Sequence, residues 1–150
     1  PEVPTPLYRD DYCTNNNGTW EVKSDYKTKY NIKNCCTIDD CLTQGDYWAG
    51  ALVKCKDMGG HSATEEDLAK IATYLYDAPE NAIGNDLYDV PLNTSKRGTT
   101  FAGLGASWYH LWSSSEYSAD KAGSRIFRSS STYRNSSYRY SSNIRAVCVK

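Results

Sequence analysis

The sequence predicts an α+β domain stapled by disulfides. Apolar residues recur with helical spacing in two stretches near the middle of the chain, and capping residues bound both stretches. Short runs rich in β-branched and aromatic residues lie towards the C-terminus. Six Cys in a chain of 150 residues, two of them adjacent, indicate an oxidising compartment. At this length, one domain with a single core is expected.

The first predicted helix begins after Asp46, which is a favourable N-cap residue. Its apolar stripe occupies positions i, i+4, i+7 and i+10, namely Trp48, Leu52, Cys55 and Met58. The pair Gly59-Gly60 is typical of a C-terminal cap, so we expect the helix to end there.

The second predicted helix has Thr64 as its N-cap and Asp67 at the third helical position. Glu65 and Glu66 complement the positive end of the helix dipole. The stripe expected to be buried consists of Leu68, Ile71, Ala72 and Leu75. Pro79 is expected to stop the helix.

Residues 1–45 are predicted to form a Cys-rich N-terminal extension that packs on the main domain, residues 46–150. Asn15–Gly18 is a strong turn signal, and we expect a hairpin near Trp20–Val22 with a Cys-rich loop after it. The Pro-rich opening is typical of a linker.

No apolar run is long enough to span a bilayer. A membrane is therefore expected as a partner only through a removed N-terminal anchor.

The C-terminal half contains an unusual Ser-rich stretch. Several glycines interrupt residues 81–112, which we expect to be rich in loops. Between Ser113 and Ser142 there are twelve Ser, interleaved with Tyr and Arg. Such tracts are often disordered. However, Ser124–Arg128 and Ile144–Lys150 have the composition of strands, and the second contains a Cys, so we expect order.

The first helix and the last strand together resemble the C-type lectin fold. The motifs are Tyr47–Gly60, with its aromatic, Ala, Cys and Gly-Gly positions, and Ala146–Val149, an apolar-Cys pair in a terminal strand. The resemblance covers about residues 46–150 and implies two helices with a twisted antiparallel sheet. In that family the first-helix Cys is bridged to the last-strand Cys. The resemblance therefore implies a Cys55–Cys148 disulfide, with a contribution of roughly 2–4 kcal/mol to stability.

The remaining cysteines are Cys13, Cys35, Cys36 and Cys41. A structural zinc site is disfavoured because adjacent cysteines do not easily share one tetrahedron. Two further disulfides are expected, and their three alternative pairings stay open. No metal or other cofactor is expected.

The C-terminal third is similar to the variable proteins of diversity-generating retroelements, which have a C-type lectin fold and a hypervariable, ligand-binding C-terminal stretch. The motifs are Leu111–Tyr117, Arg125–Phe127 and Arg145–Val149. Such elements mutate template adenines, so AAY codons become NNY codons, which never encode Lys, Glu, Gln, Met or Trp. None of these five types occurs between Ala122 and Val149, although they are spread through the residues before this stretch.

The resemblance implies binding of a protein or cell-surface ligand, outside the cell or on its surface, through a diversified face within about residues 112–145. In the strand predicted at Ser124–Arg128, we expect Phe127 to face the core and the alternate residues to face outwards. Arg125 and Arg145 are expected to brace the sheet, and Trp112 with Ser113–Ser115 to form fixed scaffold. The residues predicted to bind ligand are Tyr109, His110, Tyr117, Asp120, Ser124, Ile126, Arg128, Ser130, Tyr133, Arg134, Tyr138 and Tyr140.

Two alternative functions are a structural subunit and a sugar-binding lectin. A structural surface or pilin-like subunit would use the Ser-rich stretch as ordinary scaffold, and the helices with a preceding Cys-Cys element look like such subunits. A calcium-dependent sugar-binding lectin needs converging oxygen ligands. The sugar-site motifs Glu-Pro-Asn and Trp-Asn-Asp are absent from the chain, which disfavours this alternative.

Catalysis and nucleic-acid binding are both disfavoured. The only histidines are His61 and His110, and no Gly-x-Ser-x-Gly motif is present, so we expect no enzyme activity. Formylglycine-generating enzymes use a pair of C-terminal cysteines, whereas this half of the chain has only Cys148. The cluster Arg125, Arg128, Arg134, Arg139, Tyr133, Tyr138 and Tyr140 has the chemistry of a single-strand binder. The oxidising context and the net charge of −1 argue against that partner.

Overall fold

The computed structural model describes residues 5–79, 86–100 and 109–150, except for the side chains of residues 98–100 and Tyr109. Within these ranges the chain is a mixed α+β protein with antiparallel sheets and three disulfides. The helices are α1 (Arg9–Tyr12), α2 (Ser24–Lys29), α3 (Asp39–Thr43), α4 (Tyr47–Asp57), α5 (Glu65–Leu75) and α6 (Thr94–Thr100). The strands are β1 (Cys13–Asn16), β2 (Thr19–Val22), β3 (His61–Ser62), β4 (Leu87–Tyr88), β5 (Tyr109–Glu116), β6 (Lys121–Phe127), β7 (Ser131–Tyr138) and β8 (Cys148–Val149).

Both predicted helices are present with their predicted caps. The Asp46 carboxylate accepts a hydrogen bond from the backbone N–H of Ala49 at the start of α4. Thr64 and Asp67 form a reciprocal capping box at the start of α5. The expectation of only two helices is wrong, because the described residues contain four more. Each has only four to seven residues, which is too short for a periodic apolar stripe.

The main sheet is antiparallel, with strand order β4-β7-β6-β5. The strand predicted at Ser124–Arg128 overlaps β6, which begins three residues earlier and ends at Phe127. Strands β5 and β7 were not predicted, and neither were β4 and α6 within the stretch expected to be loops. The predicted hairpin is present as β1 and β2. Within the predicted terminal strand, β8 pairs with β3, and Arg145 forms an isolated bridge with Leu111.

Each face of the main sheet packs on one of the long helices. On one face, which we call the α5 face, Leu111 and Phe127 pack with Leu68 and Leu75 of α5. The opposite face, which we call the second face, places Trp112 and Ala122 in a separate core cluster with Trp48 of α4. The central strand β6 is therefore buried along almost its whole length.

The N-terminal extension shares a core with the rest of the chain. Tyr12, Val22 and Ile32 belong to the same buried cluster as Trp48. The backbones of Leu7 and Asp46 also exchange two hydrogen bonds. Gly50 in α4 permits this contact, since a Cβ atom there would lie 1.8 Å from the carbonyl oxygen of Thr5. The extension therefore shares one hydrophobic cluster with α4 and the second face of the sheet, whereas α5 packs in the other cluster.

The three disulfides join distant parts of the chain as well as near neighbours. Cys55 in α4 is bonded to Cys148 in β8, the pair that the resemblance implies. The other bonds are Cys13–Cys35 and Cys36–Cys41, which is one of the three pairings left open. Three disulfides are typical of an extracellular or secreted protein. Among the described helices, none is long and apolar enough to cross a membrane.

Candidate functional site

The predicted binding residues are distributed over three regions of the structure. Directly paired residues in an antiparallel sheet point to the same side. Ser124 pairs with Trp112 and therefore lies on the second face. Ile126 is two residues along β6 from Ser124 and lies on the same face, as do its partners His110 and Tyr133. This face is the largest grouping of predicted residues.

Two tyrosines and an arginine form a group at one corner of the second face, in which Tyr88 and Arg128 are exposed and Tyr133 is half-buried. The rings of Tyr88 and Tyr133 are stacked, with centroids 5.9 Å apart. The Arg128 guanidinium lies over the Tyr133 ring, 5.8 Å from its centroid. Ser130 is exposed in the adjacent turn. We call Tyr88, Arg128 and Tyr133 the tyrosine–arginine corner.

Tyr88 is a member of this corner that sequence reasoning missed. It lies in β4, within a stretch expected to be loops, and it reaches Tyr133 only because β4 pairs with β7 at Ser131. Asn135 and Ser137, on the same face of β7, were missed for the same reason. A strand prediction for β7 would have placed Tyr133, Asn135 and Ser137 together by their two-residue alternation.

A small polar cluster lies further along the second face. His110 Nε2 is 2.8 Å from Ser124 Oγ and 3.3 Å from Ser137 Oγ, and the two hydroxyl oxygens are 3.3 Å apart. Burial lowers the pKa of His110 from its usual 6.5 to about 4. His110 is therefore neutral at pH 7 and exchanges hydrogen bonds with two serine hydroxyls.

This burial predicts a specific pH dependence of stability. Between about pH 6.5 and pH 4 only the unfolded chain protonates His110, so the free energy of unfolding should fall as the pH falls through this window. After allowance for partial exposure, we expect a loss of roughly 2 kcal/mol from this group. Urea unfolding at pH 7 and pH 4.5, compared with His110→Asn, measures it. If both proteins lose the same stability, His110 does not titrate in this way.

The prediction that the side chains of Ser124 and Ile126 are exposed to solvent is wrong. Both lie on the second face, as the alternation predicts, but they are only 4% and 7% exposed. The physical reason is that β6 lies between β5 and β7, so neighbouring side chains cover it on both sides. Of the three residues predicted to face out from this run, only Arg128, one residue beyond the strand, is exposed.

Tyr117 and Arg134 line a cleft of about 480 Å³ at the edge of the α5 face. Glu65 and Asp86 are on its other walls. The Asp86 carboxylate accepts hydrogen bonds from the Arg134 backbone N–H and from Arg134 Nε, at 3.0 and 3.3 Å. Tyr117 is highly exposed.

The third region lies where the sheet meets the N-terminal extension. Asp120 Oδ1 accepts hydrogen bonds from the backbone N–H groups of Thr37 and Ile38, so its carboxylate anchors the extension. The rings of Tyr138 and Tyr140 are stacked, with centroids 5.5 Å apart. The predicted role of the Tyr109 side chain lies outside the described residues.

Two of the four arginines in the cluster that has the chemistry of a single-strand binder are buried. Arg125 is 2% exposed, and its Nε donates to Thr132 Oγ1 at 3.0 Å. Arg139 is fully buried and forms an ion pair with Asp46. Neither guanidinium can reach a phosphate backbone, so the cluster does not form one basic surface. The expectation that Arg125 braces the sheet agrees with its position.

The polar cluster on the second face lacks the features of a hydrolytic site. Within the described residues, no carboxylate orients His110, and Ser124 is almost completely buried. A histidine with a pKa of about 4 is also a weak general base at neutral pH. No group of three or more His, Cys, Asp or Glu side chains in the described ranges is placed to hold a metal ion.

Comparisons with known proteins identified no relative. No protein-family model matches the chain, and searches of curated proteins and of solved structures found no match.

Proposed function

We propose that this chain is a ligand-binding protein with a C-type lectin fold, which recognises a protein or cell-surface ligand through a diversified C-terminal surface. One observation carries the proposal. The exposed side chains of β7 and the turn before it are Tyr, Arg, Asn and Ser, and they belong to the stretch that lacks Lys, Glu, Gln, Met and Trp. This composition suits a binding surface and is compatible with diversified codons.

The arrangement of helices and disulfides supports the fold part of the proposal. The capped helix α4 is tied by Cys55 to Cys148 in the last strand, as the resemblance implies. The second capped helix, α5, packs on an antiparallel sheet formed largely by the C-terminal third. The N-terminal extension then completes the core around Trp48.

The chemistry of the tyrosine–arginine corner supports the binding part. Tyrosine offers a large contact area at a small cost in side-chain entropy, and arginine adds directional hydrogen-bond donors. Arg128 forms no ion pair with any described residue, so its charge is free to meet a ligand. Tyr133 is held in place by Tyr88 and Arg128 before any ligand binds, which lowers the entropy lost on binding.

Burial divides the same stretch into positions that can vary and positions that cannot. Phe127, Thr132 and Arg139 are completely buried and hold the core and the sheet together. Arg128, Arg134 and Tyr138 are exposed between them. A protein that diversifies this stretch must confine its variation to the exposed set.

Sequencing the gene and its neighbourhood tests this proposal most directly. We expect a reverse transcriptase gene and a near-copy of the 3′ coding end. Differences between the copies should fall in the codons of Arg128, Arg134 and Tyr138, whereas the codon of Phe127 stays constant. Absence of the near-copy would favour a structural surface subunit, and differences at Phe127 would contradict the assignment of the surface.

The triple variant Arg128→Ser/Arg134→Ser/Tyr138→Ser tests the same surface by stability. We expect a change in unfolding free energy of about 0.5 kcal/mol per exposed site, measured by urea unfolding. The matched control is Phe127→Ser, a single change in the same strand pair, which should cost about 3–5 kcal/mol because it removes a buried aromatic ring. If the triple variant is as unstable as the control, the three residues belong to the core.

A further inference from the structure

A groove of about 390 Å³ runs along one edge of the β1–β2 hairpin in the N-terminal extension. Its first wall is β2, where three consecutive residues line it, Trp20, Glu21 and Val22. The side chains of a strand alternate between its two faces, so a groove over one face would contact every second residue. Contact with three residues in succession places this groove at the edge of the strand, beside its main chain.

The main-chain groups of β2 that point to this edge have no partner. Hydrogen bonds across an antiparallel pair alternate along each strand. The Lys23 N–H, just after β2, donates to the Tyr12 carbonyl oxygen across the hairpin at 2.9 Å. One and three residues earlier, Val22 and Trp20 therefore direct their N–H and C=O groups away from β1. These groups bond to no other described residue, so the edge is open to a further strand.

The opposite wall of the groove is a loop, residues 33–37, that is held in place from its other side. Cys35 in this loop is bonded to Cys13 in β1. The carboxylates of Glu116 and Asp120 accept hydrogen bonds from main-chain N–H groups of the same loop. The groove is therefore formed before any partner binds, which lowers the entropy lost on binding.

The side chains around the groove give it a net positive charge. Lys27 and Lys33 line it, both are exposed, and neither pairs with an acidic side chain among the described residues. One acidic residue, Glu21, lines it as well, and its carboxylate accepts from Asn16 Nδ2 at 3.1 Å. Trp20 adds a half-buried aromatic surface. A complementary partner carries acidic groups together with an apolar one.

We propose that this groove binds an extended acidic peptide segment of a partner protein, which adds a third strand to the β1–β2 hairpin. The main chain of the peptide pairs with Trp20 and Val22, acidic side chains meet Lys27 and Lys33, and an apolar side chain packs on Trp20. Strand β2 has four residues, so the paired segment is about 13 Å long. No residue of β6 or β7 is among the described residues that line the groove, so this site is independent of the proposed ligand-binding surface.

Hydrogen exchange of the ¹⁵N-labelled protein with the peptide acetyl-EVEV-amide tests the strand pairing. We expect a dissociation constant of about 1 mM for a peptide of this size. In the free protein, the amides of Trp20 and Val22 should exchange faster than that of Glu21, which bonds within the hairpin. At a peptide concentration of about ten times the dissociation constant, exchange at Trp20 and Val22 should slow about tenfold, with Glu21 unchanged.

A fully N-methylated form of the same peptide cannot donate main-chain hydrogen bonds and should slow none of these amides. Equal slowing by the N-methylated peptide would overturn the strand pairing, as would equal slowing of all three amides. Unchanged exchange at Trp20 and Val22 would show that the two lysines only protect a bare strand edge, and it would overturn the proposal.

Charge reversal tests the acidic character of the partner. The double variant Lys27→Glu/Lys33→Glu should weaken acetyl-EVEV-amide binding about tenfold or more. It should also bind acetyl-KVKV-amide more tightly than the wild type does, a gain that a misfolded variant would not show. The matched control is Lys56→Glu, an exposed charge reversal on α4 outside the groove, which should leave both affinities unchanged. Equal weakening by Lys56→Glu, or no gain for acetyl-KVKV-amide, would overturn the assignment to an acidic peptide.

Discussion

Replacing Arg139 with alanine is expected to lower the free energy of unfolding by about 3–5 kcal/mol, because it leaves a buried charge without its partner. Arg139 is fully buried, and its Nε and Nη2 donate to Asp46 Oδ2 at 2.9 and 2.8 Å. Its Nη1 reaches Glu116 Oε1 at 3.3 Å, and the guanidinium lies over the Trp48 ring, 4.5 Å from the centroid.

The partner left behind makes this loss large. Asp46 is also fully buried, and it caps α4 as well as accepting from Tyr12 Oη at 2.6 Å. Burial and the nearby Asp46 carboxylate raise the pKa of Tyr12, so the phenol stays protonated and continues to donate. Without Arg139, the negative charge of Asp46 has only neutral donors, which do not offset the desolvation of a buried carboxylate.

Chemical denaturation of matched variants measures the effect. Arg134→Ala removes an arginine that is paired with Asp86 at the surface, and it should change stability by less than about 1 kcal/mol. Arg139→Lys should recover only part of the loss, since an ammonium cannot reproduce the several fixed donors of the guanidinium. Equal effects of Arg139→Ala and Arg134→Ala would show that the buried network contributes little.

The features that could be predicted from the sequence are those whose cause is local. The caps Asp46 and Thr64 act on N–H groups three residues away, so a short window contains the whole signal. The hairpin at Asn15–Gly18 is also predictable from a short window, because its signal is the run of turn residues between the two strands. The link between Cys55 and Cys148 spans 93 residues, and it was expected only because of a family resemblance.

The features that were missed depend on partners that are distant in the chain. The ion pair of Arg139 with Asp46 also spans 93 residues, and nothing near Arg139 distinguishes it from the exposed Arg134. Strands β5 and β7 are rich in Ser, which has no strong strand preference, and they are stabilised by pairing with β6. Alternation within β6 alone therefore predicts an exposed Ile126, because it takes no account of the side chains of β5 and β7 that cover this residue.

The second large effect is expected at Trp112, whose replacement by alanine should cost about 3–5 kcal/mol. The side chain is completely buried in the cluster that contains Trp48, Ala122 and Ile144. Removing the ring leaves a cavity between the second face and α4. The Cys13–Cys35 disulfide belongs to the same cluster and limits how far the core can collapse into that cavity. Thermal or urea unfolding measures the loss, and Tyr117→Ala, an exposed aromatic in the same strand–turn region, is the control at about 0.5 kcal/mol or less.

A second substitution at the same position separates packing from hydrogen bonding. The Trp112 indole Nε1 is buried and has no hydrogen-bond partner among the described residues, whereas Trp48 Nε1 donates to the Ser113 carbonyl oxygen at 2.8 Å. Trp112→Phe removes an unsatisfied donor while keeping most of the ring, so we expect a loss of only about 1–2 kcal/mol. Trp48→Phe removes a satisfied donor and orphans a buried carbonyl, and it should cost more. Wild-type stability in Trp112→Ala would instead place Trp112 at the surface, with the residues proposed to bind ligand.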